Sequence, residues 1–448
     1  MQGIKRTYSR HLKTGSKALV KGWVGKVRDL GGLKFFMLRD REGSVQVTAK
    51  KGDVPAAMLN QVLSLNREDC VSVVGKVKQA KQAPGGMEIV PEKIVVVAKA
   101  GQPLPIETSD KIETGMDKRF DYRFMDLRNP KIQAVFRVRD VALTKMREFF
   151  EGDGFVEVNT PVIQAAGAEG GSTLFPLIYY KNEAFLRQSP QLYKQMLMAS
   201  GLDRVYEIGP AFRAEKFHTR RHVSEFLSVD FEMAWIESQE EIWNILERMA
   251  EHVFKGVLKD CKPELKLFNA KISVPELPMK RITYDEAIDI VSKAGKQKEK
   301  GCSDKSNQAA RPVKWGDDFM DAEERVLGEI MTKKGHEWYF VTRFPGKIKP
   351  FYIMMDGKWS HSYDMVYRGM EMSSGGQREH RPDVLVKVFR QKGLDPSKFK
   401  FYVDAFRFGM PAHGGCGFGI ERLVQQMLGL ENIKEVILFP RTPERLVP

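Results

Sequence analysis

The densest run of chemistry-bearing side chains lies in VYEIGPAFRAEKFHTRRHVSEFLSVDFEMAW, residues 205–235. Arg213, Glu215, Lys216, His218, Arg220, Arg221 and His222 crowd its middle, between two alternating apolar runs. Strand, charged loop, strand is the pattern of a hairpin. Such a cluster, flanked by buried strands, would hold a polyanionic ligand against a sheet. The same run would also serve as a solvated turn, since charge runs commonly face water.

Other candidates are scattered. Glu169 is a lone carboxylate in the glycine-rich AAGAEGGSTLF. It is a candidate contact for an ammonium group on a mobile lid, or a residue of an ordinary loop. Gln191 and Lys194 fall in the first turns of an amphipathic helix opened by Ser-Pro. The helix dipole disfavours lysine there, so Lys194 has either a role or a solvated place. Asp364 and Glu371 are seven apart. An odd separation sets two residues on opposite faces of a regular strand. A bulge at Arg368-Gly369, or two separate elements, would be needed to bring them together. Arg378 follows in a loop. Glu421 and Arg422 close a glycine-rich strand, HGGCGFGIER, that runs into an amphipathic helix.

The elements that must position these groups change character along the chain. Residues 1–102 read as all-β: five short Val- and Ile-rich segments cut by Gly or Asp, with a helix between the third and fourth. That order suits a small OB-type barrel, which binds single-stranded nucleic acid through basic and aromatic side chains. Arg28, Phe35 and Gln46 would form such a patch, unless Phe35 belongs to the core. Residues 103–134 read as a linker and hinge, opening on the aperiodic GQPLPIETSD. From there to residue 448 helices and strands mix. FVEVNTPVI contains Pro161, which places that strand at an edge or an interface. Residues 293–311 are polar and lysine-rich and read as a flexible surface insertion.

Composition bounds the rest. The chain has 448 residues, enough for two or three domains, and a formal charge of +14, which favours a polyanionic partner. Its four cysteines form no CxxC pair, which argues against a cysteine zinc site and suits a reducing cytosol. No apolar run reaches a membrane span, and the N-terminus lacks a secretory h-region, so a cytoplasmic location without a membrane partner is expected.

Three stretches now combine: the helix and strand ending in Pro161, the FRAE loop, and GFGIER. In this order they resemble the three signature motifs of class II aminoacyl-tRNA synthetases. The N-terminal barrel narrows the resemblance to the aspartyl, asparaginyl and lysyl subgroup. QSPQLYKQ, GLDRVYEI, MEMSSGGQREH and VILFPRTPERLVP make the chain similar to archaeal-type aspartyl-tRNA synthetases.

The resemblance implies an α+β fold: a five-stranded OB-fold barrel, then a six- or seven-stranded antiparallel sheet flanked by helices. It implies a homodimer through the Pro161 region, and ATP, L-aspartate and tRNA(Asp) as partners. It implies that Arg213, Arg422 and Glu371 are catalytic. Arg213 would bridge the α-phosphate and the aspartate carboxylate, Arg422 would hold the γ-phosphate, and Phe226 would stack on adenine. Ala214, Glu215, Arg221, His222, Val223, Gly419, Ile420 and Glu421 would complete the ATP site. Mg2+ would sit on Asp364, Glu371 and Ser374. Aspartate would be bound by Glu169, Gln191, Lys194, Asp230, Ser374 and Arg378, besides Arg213. Two buried cations, Lys194 and Arg378, left without an anion would make asparagine costly.

In the barrel, the resemblance makes Arg28, Phe35, Gln46 and Pro84 anticodon-binding. Pro84 resembles relatives that charge only tRNA(Asp), whereas Gly25, at a second position linked to that choice, matches neither kind; a discriminating enzyme is expected. The alternatives are an enzyme charging both tRNA(Asp) and tRNA(Asn), an asparaginyl or lysyl enzyme, a tRNA-independent asparagine synthetase, and a non-catalytic RNA-binding relative. The chain departs from the family at Ala412, where PPHGG is usual, and at Cys416, which replaces a commonly aromatic residue.

Overall fold

The computed structural model describes residues 4–109, 114–165, 173–215, 220–298 and 313–448. The chain forms two compact units that divide between Thr114 and Gly115. The expected hinge, 103–134, is thus split: helices Met116–Asp121 and Arg123–Asp126 belong to the second unit.

The first unit is a closed five-stranded barrel. Its strands are Lys17–Leu30, Leu33–Asp40, Gly43–Lys50, Cys70–Gln79 and Met87–Ala98, with helix Ala56–Leu63 between the third and fourth. Alternation sends Val20, Val24, Phe36, Leu38, Val45, Val47, Val71 and Val73 inward. Closure needs bends. Gly75 supplies one at a register shift, where a Cβ would meet the Val90 carbonyl oxygen at 2.2 Å.

The second unit is built on an eight-stranded sheet. Its strands lie in the order Lys280–Thr283, Trp338–Thr342, Ser362–Tyr367, Met370–Gln377, His413–Gly419, Glu225–Ala234, Arg204–Phe212 and Val156–Glu157. The inner six are antiparallel; each outer strand pairs parallel to its neighbour. The sheet is therefore wider than the six or seven strands expected, because short segments add to both edges. Val156–Glu157, just before Pro161, is the edge strand on one side.

Helix Pro130–Gly152 starts at Asn129, whose side chain caps the Lys131 amide at 2.8 Å, with proline at the first helical position. Val135, Val138, Ala142, Met146 and Phe150 recur every three or four residues and bury one face. They join helices Glu240–Asp260 and Ile420–Leu428 in the main core against the sheet. The lysine-rich stretch is partly helical: helix Tyr284–Lys298 runs through its first six residues, 293–298. These include Lys, Ala and Gln, all good helix formers. Residues 299–312 lie outside the described part.

Candidate active site

The hairpin read from the sequence is present. Arg204–Phe212 and Glu225–Ala234 pair in unbroken register from Arg204↔Met233 to Phe212↔Glu225. Period two puts Phe226, Ser228, Asp230 and Glu232 on one face. His413–Gly419 pairs on its other side, with Asp230 opposite Gly417 and Glu232 opposite Gly415. Gly415 is required there: a Cβ would lie 2.0 Å from the Phe231 carbonyl oxygen and 2.5 Å from Glu232 Oε2.

A hairpin turn brings the paired carboxylates together, and a bulge adds Ser374 to them. Asp364 and Glu371 lie on adjacent strands, joined by a two-residue turn at Arg368 (φ 49°) and Gly369 (φ 75°). Positive φ at both residues is what a tight hairpin turn of this hand needs. The bulge lies further in than expected: Met365 pairs with Ser373, but Val366 pairs with Glu371, so Met372 is the extra residue. Val366 shares the face of Asp364, so Glu371, opposite Val366, lies on that side too. The bulge brings Ser374, opposite Asp364, to the same side as Glu371.

These elements surround one cavity of about 330 Å3. Arg213, Glu215, Arg221, His222, Val223 and Phe226 line one part, and Glu371, Gly419, Glu421 and Arg422 close it. Gln191, Asp230, Ser374 and Arg378 line the other, beside Asp364. Three predicted residues do not line it. Lys194 lies beneath the floor. The Ala214 amide donates to the Thr173 carbonyl at 2.8 Å. Ile420 is fully buried in the main core, because the first turn of its helix turns that side chain inward. Glu169 lies outside the described residues.

Under the floor is a buried ionic network. Lys194 Nζ, in the first turn of helix Gln191–Met198, donates to Asp230 Oδ2 and to the Cys416 carbonyl, both at 2.8 Å. It lies 3.4 Å from Glu232 Oε2. Arg378 Nε and Nη2 hold Glu232 bidentately at 2.8 and 3.2 Å. Ser228 Oγ donates to Asp230. Burial pushes the Glu232 carboxyl up, but Arg378 and then Lys194 outweigh it and hold it below the usual range. His413 is fully buried beside them, and burial pushes its imidazole down to about 4.

The phosphate-like end is different. The Arg213 guanidinium lies over the Phe226 ring, 5.5 Å from its centroid. Arg422 Nη1 donates to the Glu371 carbonyl at 3.0 Å and lies 3.5 Å from Glu371 Oε1. Arg221 Nη1 donates to Glu324 Oε2 at 2.6 Å. Lys349 Nζ straddles both Asp364 oxygens at 3.1 Å. Burial, partly opposed by Lys349 and reinforced by Glu371, pushes the Asp364 carboxyl up to about 6. Burial and then Glu371 push the Glu324 carboxyl up, opposed by Arg221, whose charge favours its ionised form. Burial and then Arg422 push His222 down. Glu421 is buried, donor-satisfied by Arg139 at 2.9 Å, and pushed up by that burial.

Among the described residues no three His, Cys, Asp or Glu side chains converge as a metal cluster. A cation near Asp364 and Glu371 would rest on two carboxylates and the Ser374 hydroxyl. It would take the rest of its shell from ligand oxygens, which is the habit of Mg2+. The raised Asp364 carboxyl fits such a site, since a cation offsets both the burial and the Glu371 repulsion that raise it.

Sequence reasoning missed Glu232, Lys349 and Glu324. Glu232 had a signal: it stands two residues after Asp230 on a strand and so shares its face. Lys349 lies in the irregular segment FPGKIKPF, where no periodicity points. Glu324 is one of three acidic residues in a helix first turn, a place where such residues are common anyway.

On the barrel, Arg28 opposes Phe35 and Phe35 opposes Thr48, next to Gln46. Phe36 takes the core position and Phe35 stays half-buried on the outer face, so Arg28, Phe35 and Gln46 form one patch. Gln46 Nε2 donates to Thr48 Oγ1 at 3.0 Å. Pro84 is exposed, in the turn before the fifth strand. Among the described residues no helix is long and apolar enough to cross a membrane.

Comparison with known proteins places this geometry. Residues 115–443 match the family model of class II tRNA synthetases (D, K and N), and residues 18–97 match that of the OB-fold nucleic acid binding domain. The chain is 48% identical over 438 residues to an aspartate–tRNA(Asp) ligase of Pyrococcus abyssi, covering 97% of each. It is 45% identical over 437 residues to an aspartate–tRNA(Asp/Asn) ligase of Methanopyrus kandleri, again 97% of each. Its fold superposes on an asparaginyl-tRNA synthetase of Pyrococcus horikoshii complexed with asparaginyl-adenylate. The TM-score is 0.89 at 34% identity, covering 99% of this chain and 100% of that one. The chain belongs to the class II (D, K and N) tRNA synthetases, as an ATP-dependent aminoacyl-tRNA ligase of the aspartate/asparagine type.

Proposed function

We propose that the chain activates L-aspartate with ATP and transfers it to tRNA(Asp) and also to tRNA(Asn). The observation that carries the choice of aspartate is the buried network of Lys194, Asp230, Glu232 and Arg378. It is balanced: two cations face two carboxylates. An incoming amino acid brings an ammonium that competes for Asp230, with Gln191 and Glu169 as further contacts. That releases Lys194, which is 2% exposed and needs an anion. The side-chain carboxylate of aspartate supplies one, shared with the remaining nitrogen of Arg378. Asparagine would leave Lys194 and Arg378 to share the single carboxylate of Glu232, and the penalty falls on the wrong substrate.

The chemistry needs no protein base, because a carboxylate is already a nucleophile at neutral pH. The α-carboxylate attacks the α-phosphorus of ATP, the bond to the β-phosphate oxygen breaks, and pyrophosphate leaves. The chain supplies alignment and charge. Arg213 grips the α-phosphate and the attacking carboxylate, Phe226 carries the adenine, and Arg422 and Arg221 hold the outer phosphates. Mg2+ on Asp364, Glu371 and Ser374 would neutralise phosphate charge. The 3′-hydroxyl of the tRNA then attacks the aspartyl-adenylate. The barrel patch of Arg28, Phe35 and Gln46 would stack and read anticodon bases. A homodimer through the Pro161 region completes the reading.

The strict tRNA preference expected from Pro84 is not carried forward. Relatives named for tRNA(Asp) alone and for both tRNAs match this chain almost equally well. Discrimination needs a contact that the wrong base loses or a clash it meets. Neither Pro84 nor Gly25 has a polar side chain, so neither offers a side-chain hydrogen bond that a wrong base would lose. Charging assays with both purified tRNAs test this: comparable kcat/KM is expected, and a hundredfold preference for tRNA(Asp) would restore the strict reading. Pyrophosphate exchange with aspartate, asparagine and lysine in parallel tests the amino acid; exchange driven by asparagine as well as by aspartate would overturn it.

A further inference from the structure

Arg221 is held by an element that none of the motifs contains. Its Nη1 donates to Glu324 Oε2 at 2.6 Å and lies 3.6 Å from Asp321 Oδ1, and its Nη2 reaches the Gly369 carbonyl at 3.5 Å. Glu324 and Asp321 both belong to the first turn of helix Asp321–Lys333. That helix start is well defined: Glu323 accepts from the Met320 amide at 2.9 Å.

The helix is seated by a glycine contact. A Cβ on Gly328 would lie 2.1 Å from Gly369 Cα and 2.4 Å from Gly369 N. Gly369 in turn has φ 75° and lies close to the Glu324 carbonyl oxygen, so neither glycine tolerates a side chain. Gly369 is the turn of the hairpin that carries Asp364, Glu371 and Ser374. One helix therefore sets two things against each other: the carboxylate hairpin, through glycine packing, and Arg221, through Glu324. A guanidinium pinned along one edge presents its remaining N–H groups in a fixed direction, which a free side chain would have to be ordered to do.

Resting on the reading of the cavity as an ATP site, we propose that Glu324 is a positioning residue for the triphosphate, holding Arg221 in its phosphate-gripping orientation. The Arg221 side chain is 15% exposed and Glu324 24%, so the pair is sheltered enough for its geometry to matter. Glu324 touches no reacting atom; it acts only through Arg221.

The test is steady-state pyrophosphate exchange with ATP and aspartate varied separately, on the full chain. Glu324→Gln keeps the shape and removes the charge. Its KM for ATP is expected to rise about tenfold, with kcat within about threefold and the KM for aspartate unmoved. Glu324→Asp, which keeps the charge on a shorter arm, is expected to fall between the two. It also serves if the glutamine variant folds poorly, as judged by its melting temperature. Arg221→Ala is expected to raise the KM for ATP at least as much, and adding Glu324→Gln to it should change nothing further. An unchanged KM for ATP in both Glu324 variants would overturn the proposal, and so would multiplying losses in the double variant. If the wild-type chain gave no exchange with aspartate, asparagine or lysine, the ATP-site reading itself would fall, which is a separate outcome.

Discussion

Replacing Arg378 by leucine removes two charge-assisted hydrogen bonds from a Glu232 that is 0% exposed. Breaking a buried ion pair from one side costs about 3–5 kcal/mol, because the other charge is left behind. Lys194, still 3.4 Å from Glu232, keeps the loss at the lower end, about 3 kcal/mol. For a unit of this size that is a fall in melting temperature of about 4 °C. The loss has a pH signature. In the wild type the Glu232 carboxyl sits below its ordinary value, so it contributes stability above that value and loses it as pH falls through the folded pKa. In the variant burial dominates, the carboxyl moves up, and stability drains as pH rises through the new value. The gap between the two proteins therefore widens from about pH 5 to about pH 8. Thermal melts across that range read it. The double variant Arg378→Leu/Glu232→Gln should recover at least half of the lost stability and none of the activity with aspartate, which is expected to drop about a thousandfold or more in kcat/KM. A single variant as stable as the wild type at pH 8, or one that still activates aspartate normally, would refute the reasoning.

Three further outcomes follow from the same geometry. Gly415→Ala drives a methyl into the Phe231 carbonyl and Glu232, and is expected to lower the melting temperature and abolish pyrophosphate exchange while leaving the barrel folded, read by circular dichroism and activity. Asp364, pushed up to about 6, holds a proton in the folded chain over a range where the unfolded chain has released it. Its contribution is therefore full below about pH 4 and drains as pH rises through about 6, and adding Mg2+ with ATP should flatten that slope in denaturant melts, since cations favour the ionised form. Phe35→Ala on the barrel should weaken tRNA binding by about 1–3 kcal/mol, or roughly ten- to a hundredfold, with pyrophosphate exchange unchanged; a loss of exchange would mean that the residue supports the fold instead.

Much of this protein is determined by its sequence alone, because the determining forces are local. Alternating Val and Ile between Gly turns demands five strands around a core, and only one parity of each strand can face it. The same rule places the charged tip between Phe212 and Glu225 at the end of a hairpin. Phe35 and Phe36 show where locality stops. Adjacent residues must take opposite faces, but which one meets the core depends on the partner strands, and it is Phe36 that does. Asp364 and Glu371 show it again: the spacing forbids a common face on one strand, and only the turn at Arg368-Gly369, which sets Glu371 opposite Val366, returns them to one side, with a bulge bringing Ser374 to join them. Lys194 and Arg378 are 184 residues apart in the chain. Their meeting at Asp230 and Glu232, with Gly415 leaving room for Glu232, is decided by long-range strand order. Burial then fixes which charges must pair, and burial is a property of the folded sheet that no local run of residues contains.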